Sequence, residues 1–153
     1  MKRFAPIWLM AAVLLAGWPL SSSAQMNSED TPQSAAIVVL DQFMVAFNTR
    51  DMAAWEATFN FPHIRFASGR VVVLDTPGQQ RTNLFDLLAA TGWDHSAWHD
   101  RTIIAAGPDK VHVDVTFKRY RQDGTELATY RSLYIVTKEN GKWGVQARSS
   151  FAP

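Results

Sequence analysis

The chain has 153 residues, enough for one domain with a hydrophobic core and too few for two ordinary domains. Hydrophobic residues make up 47% and charged residues 19%, a globular balance that argues against intrinsic disorder. The formal net charge is +1 and cysteine is absent, so we expect no nucleic-acid partner, and no disulfide can form.

The composition of residues 1–24 predicts a secretory signal peptide. Lys2 and Arg3 form a positive start, an apolar run spans residues 4–20, and Ser22-Ser23-Ala24 has the small residues of a cleavage site. A membrane anchor is the alternative. The run is short for a membrane span and is interrupted by two prolines and a glycine, which favours the signal peptide.

The mature chain is expected to begin at Gln25 and to be periplasmic or secreted, with no membrane contact after cleavage. Loss of Lys2 and Arg3 lowers the number of basic residues from 15 to 13 against 14 acidic residues, which makes the net charge −1. No basic tract remains for a nucleic acid. We expect residues 25–31 to form a flexible segment and residues 32–153 to form the folded domain.

Two helices are predicted at the start of this domain. Thr31-Pro32 has the N-cap and first-turn proline of a helix, and apolar residues recur at helical spacing as far as Phe47. Asp51 can cap a second, short helix that ends at Pro62. Residues 63–74 are β-rich.

A third helix and four strands are predicted to follow. The helix contains Leu84, Leu87 and Leu88 and ends at Gly92. The strands are separated by turn sequences, two of which, Asp-Gly and Asn-Gly, are typical of tight hairpins. This order indicates an α+β fold, with a curved antiparallel sheet packed on three helices from the N-terminal half. The predicted strands are 97–106, 110–121, 126–138 and 142–151.

This order of elements resembles the nuclear-transport-factor-2-like superfamily, which includes SnoaL-like and ketosteroid-isomerase-like proteins. The segments "FNFPHIRFASGRV" and "WGVQARSSF" are similar to uncharacterised bacterial SnoaL-like proteins, and the resemblance covers about residues 32–151. It implies a cone-shaped fold. It implies no single activity, since the superfamily contains isomerases, hydrolases, cyclases, dehydratases and binding or assembly domains.

The turn positions predict which strand residues face the helices. Two-residue loops at Asp123-Gly124 and Asn140-Gly141 define two pairings, and extending the count through Pro108-Asp109 adds Trp98 and Asp100 to the same face. A single bulge would reverse one strand. The predicted pairs are Phe117–Tyr130, Val115–Ser132, Val113–Tyr134, Val111–Val136, Val136–Val145, Tyr134–Ala147, Ser132–Ser149 and Tyr130–Phe151.

The polar residues gathered at one end of this face predict a ligand pocket. An unpaired charge or hydroxyl in an apolar core is costly, so such groups are expected to meet water or a ligand. The predicted ligand-binding residues are His63, Trp98, Arg119, Ser132, Tyr134 and Ser149.

Asp100 and Tyr130 are the candidate catalytic residues. A half-buried carboxylate could act as a general base, and a tyrosine hydroxyl could stabilise an oxyanion. The alternative is a structural ion pair between Asp100 and Arg119. His63 shares one strand face with Arg65, and this face could point either to the pocket or to solvent.

Neither a metal nor a cofactor is predicted. His95 and His99 are four residues apart, but they fall where a strand begins, and no carboxylate or cysteine completes a ligand set. Phosphate-binding loops and dinucleotide fingerprints are absent.

Three functional hypotheses follow. The leading one is binding of a small, partly apolar molecule without chemistry. The alternative is an isomerase or dehydratase that uses Asp100 as base and Tyr130 as donor. The second alternative is a homodimeric assembly module, in which the convex sheet face around Leu133 and Ile135 forms the interface. That face could equally be solvated.

Overall fold

The computed structural model describes residues 31–153. The predicted signal peptide, its cleavage site and nearly all of the predicted flexible segment lie outside these residues. The helices and strands within them are α1 (Pro32–Asn48), α2 (Met52–Ala57), β1 (Phe59–Ala67), β2 (Arg70–Leu74), α3 (Leu84–Ala89), β3 (His95–Ala106), β4 (Lys110–Tyr120), β5 (Glu126–Glu139) and β6 (Lys142–Ser150).

The strands form one curved sheet in the order β2-β1-β6-β5-β4-β3. All neighbouring strands are antiparallel except β1 and β6, which are parallel. The predicted α+β class and the packing of helices on a curved sheet are confirmed, and the parallel pair makes the sheet mixed. Among residues 31–153, no helix is long and apolar enough to cross a membrane.

The helices begin at the predicted caps. Thr31 accepts a hydrogen bond of 3.1 Å from the backbone N–H of Ser34, and Asp51 accepts one of 2.9 Å from that of Ala54. Helix α1 lies against the inner face of the sheet, where Phe43 contacts the rings of several strand residues. The core therefore forms between one helical face and one sheet face.

Helix α2 ends at Ala57, so the prediction that it extends to Pro62 is wrong. The next residues belong to β1 because hydrogen bonds from distant parts of the chain capture their backbone. The Val145 N–H donates to the Thr58 carbonyl at 2.8 Å, and the Lys142 ammonium donates to the Phe59 carbonyl at 2.8 Å.

Asn60 ties the start of β1 to β5, across Gly144 of β6. Its amide donates two hydrogen bonds of 2.9 Å to the carbonyl and hydroxyl oxygens of Thr137. Gly144 leaves the necessary space, since a Cβ there would lie 2.9 Å from the Asn60 backbone nitrogen. A side chain at position 144 would therefore force β1 and β6 apart.

The predicted pairing of β4 with β5 is confirmed along most of its length. The two strands depart from it only beside the Asp-Gly turn, where the register shifts at Tyr120. The inner face of β5 therefore carries the polar residues expected there. The confirmed pairs are Phe117–Tyr130, Val115–Ser132, Val113–Tyr134 and Val111–Val136.

The predicted pair Val136–Val145 is confirmed, but a bulge in the β5–β6 ladder after this pair makes the predicted register wrong for the rest of β6. The observed pairs there are Tyr134–Arg148 and Ser132–Ser150, one residue further along than predicted. One extra residue reverses the two faces for the rest of the strand. Ser149 therefore lies exposed on the outer face, contrary to the prediction.

A second bulge, at His99 in β3, corrects the placement of Asp100. Trp98 pairs with Phe117 and lies on the inner face as predicted. Asp100 pairs with Thr116, so His99 is the extra residue and the faces reverse after it. Asp100 is consequently exposed on the outer face, and its predicted position in the pocket is wrong.

His63 is fully buried between β1 and β6. Its Nδ1 lies 2.9 Å from the carbonyl oxygen of Val145, and its ring stacks on Phe59 with centroids 4.0 Å apart. Because a carbonyl only accepts, Nδ1 carries the proton and Nε2 is the unpaired acceptor. Burial, and to a smaller extent the positive charge of Arg148, lowers the pKa of His63 to about 4.

Because His63 is buried in its neutral form, we expect the folded protein to lose stability in acid. Between pH 6.5 and pH 4 the unfolded chain protonates His63 whereas the folded protein does not, so the free energy of unfolding falls as the pH falls. The loss reaches about 3 kcal/mol near pH 4, and above pH 6.5 the effect vanishes. Urea unfolding at pH 7 and pH 4.5 measures it.

The substitution His63→Gln should remove this part of the pH dependence. The matched control is His99→Gln, because His99 is exposed and should leave the slope unchanged. An unaltered slope in His63→Gln would show that other groups cause the acid sensitivity.

Candidate functional site

A cavity of about 60 Å³ lies between the helices and the inner face of the sheet. A space of this size holds on the order of four water molecules or a small chemical group. Its lining residues are Phe43, Met44, Phe47, Trp55, Arg65, Gln80, Leu84, Leu88, Ser96, Phe117, Arg119, Tyr134, Arg148, Ser150, Ala152 and Pro153.

Aromatic side chains from the helices form the apolar wall of this cavity. Phe43 and Phe47 lie one turn apart on α1, and Trp55 on α2 packs edge-on against Phe43 with ring centroids 5.3 Å apart. The indole N–H of Trp55 is buried and has no hydrogen-bond partner among the described residues. The wall is therefore apolar, with one unused donor.

Three arginines form the opposite, polar side. Arg65 and Arg148 are direct neighbours across the β1–β6 pair, and Arg119 lies on β4. The Nε–H group of each is buried and lacks a hydrogen-bond partner within residues 31–153. Each unsatisfied buried donor costs about 1–3 kcal/mol.

Arg65 is held at the cavity edge by the end of the chain. Its Nη2 donates to the carbonyl oxygens of Ala152 and Pro153, at 3.2 and 2.9 Å. Burial, and to a smaller extent the charge of Arg148, lowers the pKa of Arg65 to about 10. The side chain therefore still carries its charge at neutral pH.

Arg119 and Arg148 rest on aromatic rings. The guanidinium carbon of Arg119 lies 5.0 Å from the ring centroid of Tyr130, and that of Arg148 lies 5.4 Å from those of Phe43 and Trp55. Burial lowers the pKa of Arg119, whereas Tyr130 opposes this effect. Cation–π contacts offset only part of the cost of burying such groups.

Among residues 31–153, no aspartate or glutamate side chain forms an ion pair with these three arginines. The ion pairs within residues 31–153 involve other basic side chains, namely His95, Arg101, Lys118 and Arg131. Like charges on paired strand positions, as at Arg65 and Arg148, are destabilising. The cavity is therefore positively charged and rich in donors.

A loop held by Glu56 covers one side of the cavity. This buried carboxylate accepts hydrogen bonds from the backbone N–H groups of Gly78, at 2.6 Å, and Gln80, at 3.3 Å. Gln80 also lines an adjoining cleft of about 200 Å³, which shares Arg65 and Leu84 with the cavity. The cavity and this cleft thus share part of their lining.

The structure brings only some of the predicted site residues together. Arg119 and Tyr134 line the cavity, and His63 lines the adjoining cleft rather than facing solvent. Ser132 faces inward but is buried, and its hydroxyl lies 2.8 Å from that of Ser150. It thus contributes to the support of the cavity wall.

Trp98 and the two predicted catalytic residues, Asp100 and Tyr130, lie outside the lining. Trp98 donates its indole N–H to the Leu40 carbonyl at 3.3 Å, and Tyr130 packs on Phe117 with centroids 5.5 Å apart. Asp100 lies on the outer face, where the Thr102 hydroxyl is its hydrogen-bond partner at 3.4 Å. Arg119 and Tyr130 therefore lie together as predicted, whereas the predicted approach of Asp100 to them is wrong.

Sequence reasoning missed the contribution of Arg148 and Ser150. The predicted register puts Ala147 and Ser149 on the inner face and therefore Arg148 and Ser150 on the outer one, because the bulge before them leaves no mark in the sequence pattern. The sequence leaves open whether Arg65 faces the pocket or solvent. The pairing of Arg65 with Arg148 on β6 places it on the inner face. Among residues 31–153, no group of three or more metal-ligating side chains could hold an ion.

Several solved structures share this fold. They include a cystatin-like protein of unknown function from Nostoc punctiforme (TM-score 0.65, 14% identity, 78% of this chain and 89% of that one). An NTF2-like protein from Cytophaga hutchinsonii has a TM-score of 0.60 at 18% identity, over 84% and 100% of the two chains. A ketosteroid isomerase-like protein from Erwinia carotovora atroseptica has a TM-score of 0.56 at 19% identity, over 83% and 99%.

At these identities the likeness concerns the fold alone. No curated protein matches the chain. The model of one family, described as NTF2-like protein (DUF6841), matches residues 33–150. This match spans most of the chain, and the protein therefore belongs to the NTF2-like family DUF6841.

Proposed function

We propose that residues 32–153 form a domain that binds a small, partly apolar molecule in the cavity. The observation that carries this proposal is the pairing of an aromatic wall with unsatisfied donors on the opposite side. Small-molecule sites combine such an apolar lining with a few convergent polar groups. A purely structural core would pair these donors within the protein.

The cavity favours binding over catalysis. Its lining contains no aspartate or glutamate, and Asp100 lies on the opposite face of the sheet. Arginine does not accept a proton at neutral pH, and His63, with a pKa of about 4, is a weak base. An isomerase or dehydratase mechanism through this cavity therefore lacks its general base.

Filling the cavity should abolish binding. Met44 lines the cavity, so Met44→Trp places a larger side chain in the available space. Val45 is 64% exposed, and Val45→Trp is therefore the matched control. Thermal unfolding with benzoate, benzamide, butyrate and indole tests this. A compound at 100 times its Kd stabilises the folded state by about 2.7 kcal/mol.

At least one of these compounds should raise the Tm of the wild-type protein and of Val45→Trp, but not that of Met44→Trp. The proposal fails if none raises the wild-type Tm. It also fails if Met44→Trp responds like the wild type.

We also propose that the protein forms a homodimer through the convex face of the sheet. Val71, Phe66, Ser149 and Leu133 lie side by side across β2, β1, β6 and β5 on this face. Phe66 and Val71 are 49% and 58% exposed, which is unusual for large apolar side chains that share a surface. A second copy of the chain would cover this row.

The substitution Phe66→Glu should weaken the dimer, because it places a charge at the centre of the apolar row. Sedimentation velocity at micromolar concentration should show a dimer for the wild type and a monomer for Phe66→Glu. The control Leu87→Glu changes an exposed apolar residue on α3 and should leave the dimer intact. A wild-type protein that is only monomeric would contradict the proposal.

Export is the remaining proposal, and it rests on residues 1–24, which lie outside the described residues. A positive start, an apolar run and a small-residue cleavage pattern support it. N-terminal sequencing of the full-length chain expressed in a bacterium should find Gln25 at the start of the periplasmic product. Retention of Met1 on that product would refute cleavage at this position.

A further inference from the structure

The unpaired polar groups that line the cavity share one property. The Nε–H groups of Arg65, Arg119 and Arg148 and the indole N–H of Trp55 are all donors, and none has a partner among the described residues. Neither a guanidinium nor an indole can accept a hydrogen bond through these groups. Whatever satisfies them must therefore supply acceptors.

The charges lead to the same requirement. Arg65 and Arg148 occupy paired positions on parallel strands, which lie about 4.8 Å apart, and no described aspartate or glutamate forms an ion pair with either. Arg119 is only 7% exposed and completes the set. Three adjacent positive charges lower the stability of the folded state, since they repel one another there, so stability alone does not explain them.

We infer that the molecule bound in this cavity is a small organic acid, whose carboxylate contacts Arg65, Arg119 and Arg148 and whose apolar body packs on Phe43, Phe47 and Trp55. This inference rests on the proposed binding function and specifies the chemical class of the ligand. A guanidinium binds a carboxylate through paired, charge-assisted hydrogen bonds.

The walls favour a carboxylate over an inorganic anion. Phosphate and sulfate present oxygens in all directions and need donors around them, whereas three of the four unpaired donors of this cavity, the arginine Nε–H groups, come from the sheet and only the Trp55 indole N–H comes from the helices. A carboxylate has its acceptors at one end and carbon at the other, which matches this division. The cavity of about 60 Å³ accommodates the carboxylate and the first few carbon atoms.

The adjoining cleft provides room for a longer body. It shares Arg65, Gln80 and Leu84 with the cavity and is lined further by Val72 and Leu74. Arg70 and Arg81 also line this cleft and are exposed, so the approach to the cavity is positively charged as well. Such a field attracts anions toward the site.

Matched acids and amides test the inference. Isothermal titration calorimetry and thermal unfolding are carried out with benzoate and butyrate, with the isosteric benzamide and butyramide, and with inorganic phosphate. We expect each acid to bind at least tenfold more tightly than its amide, and more tightly than phosphate.

Two substitutions remove a guanidinium but retain an apolar stem, Arg119→Met and Arg148→Met. Each should weaken binding of the acids at least tenfold and bring their affinity close to that of the amides. Lys118→Met is the matched control, because Lys118 is the neighbour of Arg119 on the outer face and pairs with Glu126. It should leave the affinity unchanged.

Unfolding without ligand separates a binding role from a structural one. Arginines kept for a ligand should be dispensable for folding, so Arg148→Met should have a Tm equal to or above that of the wild type. A Tm well below the wild type, together with unchanged acid binding, would overturn the inference.

The remaining outcomes are distinct. Equal affinity for acids and amides would overturn the carboxylate assignment while the proposed binding function holds. Tighter binding of phosphate would assign the site to inorganic anions and overturn it as well. If neither acids nor amides bind, the proposed function fails together with this inference.

Discussion

The hairpin of β1 and β2 joins the other four strands of the sheet through the parallel pairing of β1 with β6. The contacts that hold this pair come from distant parts of the chain: Asn60 packs where Gly144 lacks a side chain, and His63 bonds to the Val145 carbonyl. The pairing places Arg65 directly beside Arg148. Without it, the cavity would lose one side and two of its three arginines would not meet.

The positive cavity is a persistent feature rather than one that depends on a narrow pH range. Burial lowers the pKa of Arg65 only to about 10, so its charge remains at neutral pH. Aromatic rings in contact with Arg119 and Arg148 offset part of the cost of burying these side chains. Their buried Nε–H groups still have no acceptor among the described residues. A site of this kind discriminates by charge and hydrogen-bond direction more than by shape.

The fold by itself says little about activity, since an NTF2-like scaffold supports many functions and only the side chains in the cavity distinguish them. Here those side chains are donors, and the carboxylate expected to act as a base lies on the far side of the sheet. One bulge, at His99, is responsible for this difference. These residues therefore support the proposal of binding over one of proton transfer.

The sequence by itself determined the class of fold, the starts of α1 and α2, the hairpin turns and the inner face of β4 and β5. These features follow from local spacing and turn residues, and they sufficed to place Arg119 and Tyr134 at the cavity. Only the tertiary structure decided the faces of β6 and most of β3, because a bulge adds one residue without altering the local hydrophobic pattern. It alone also joined β1 to β6, since hydrogen bonds between residues about 80 positions apart leave no local signature in the chain.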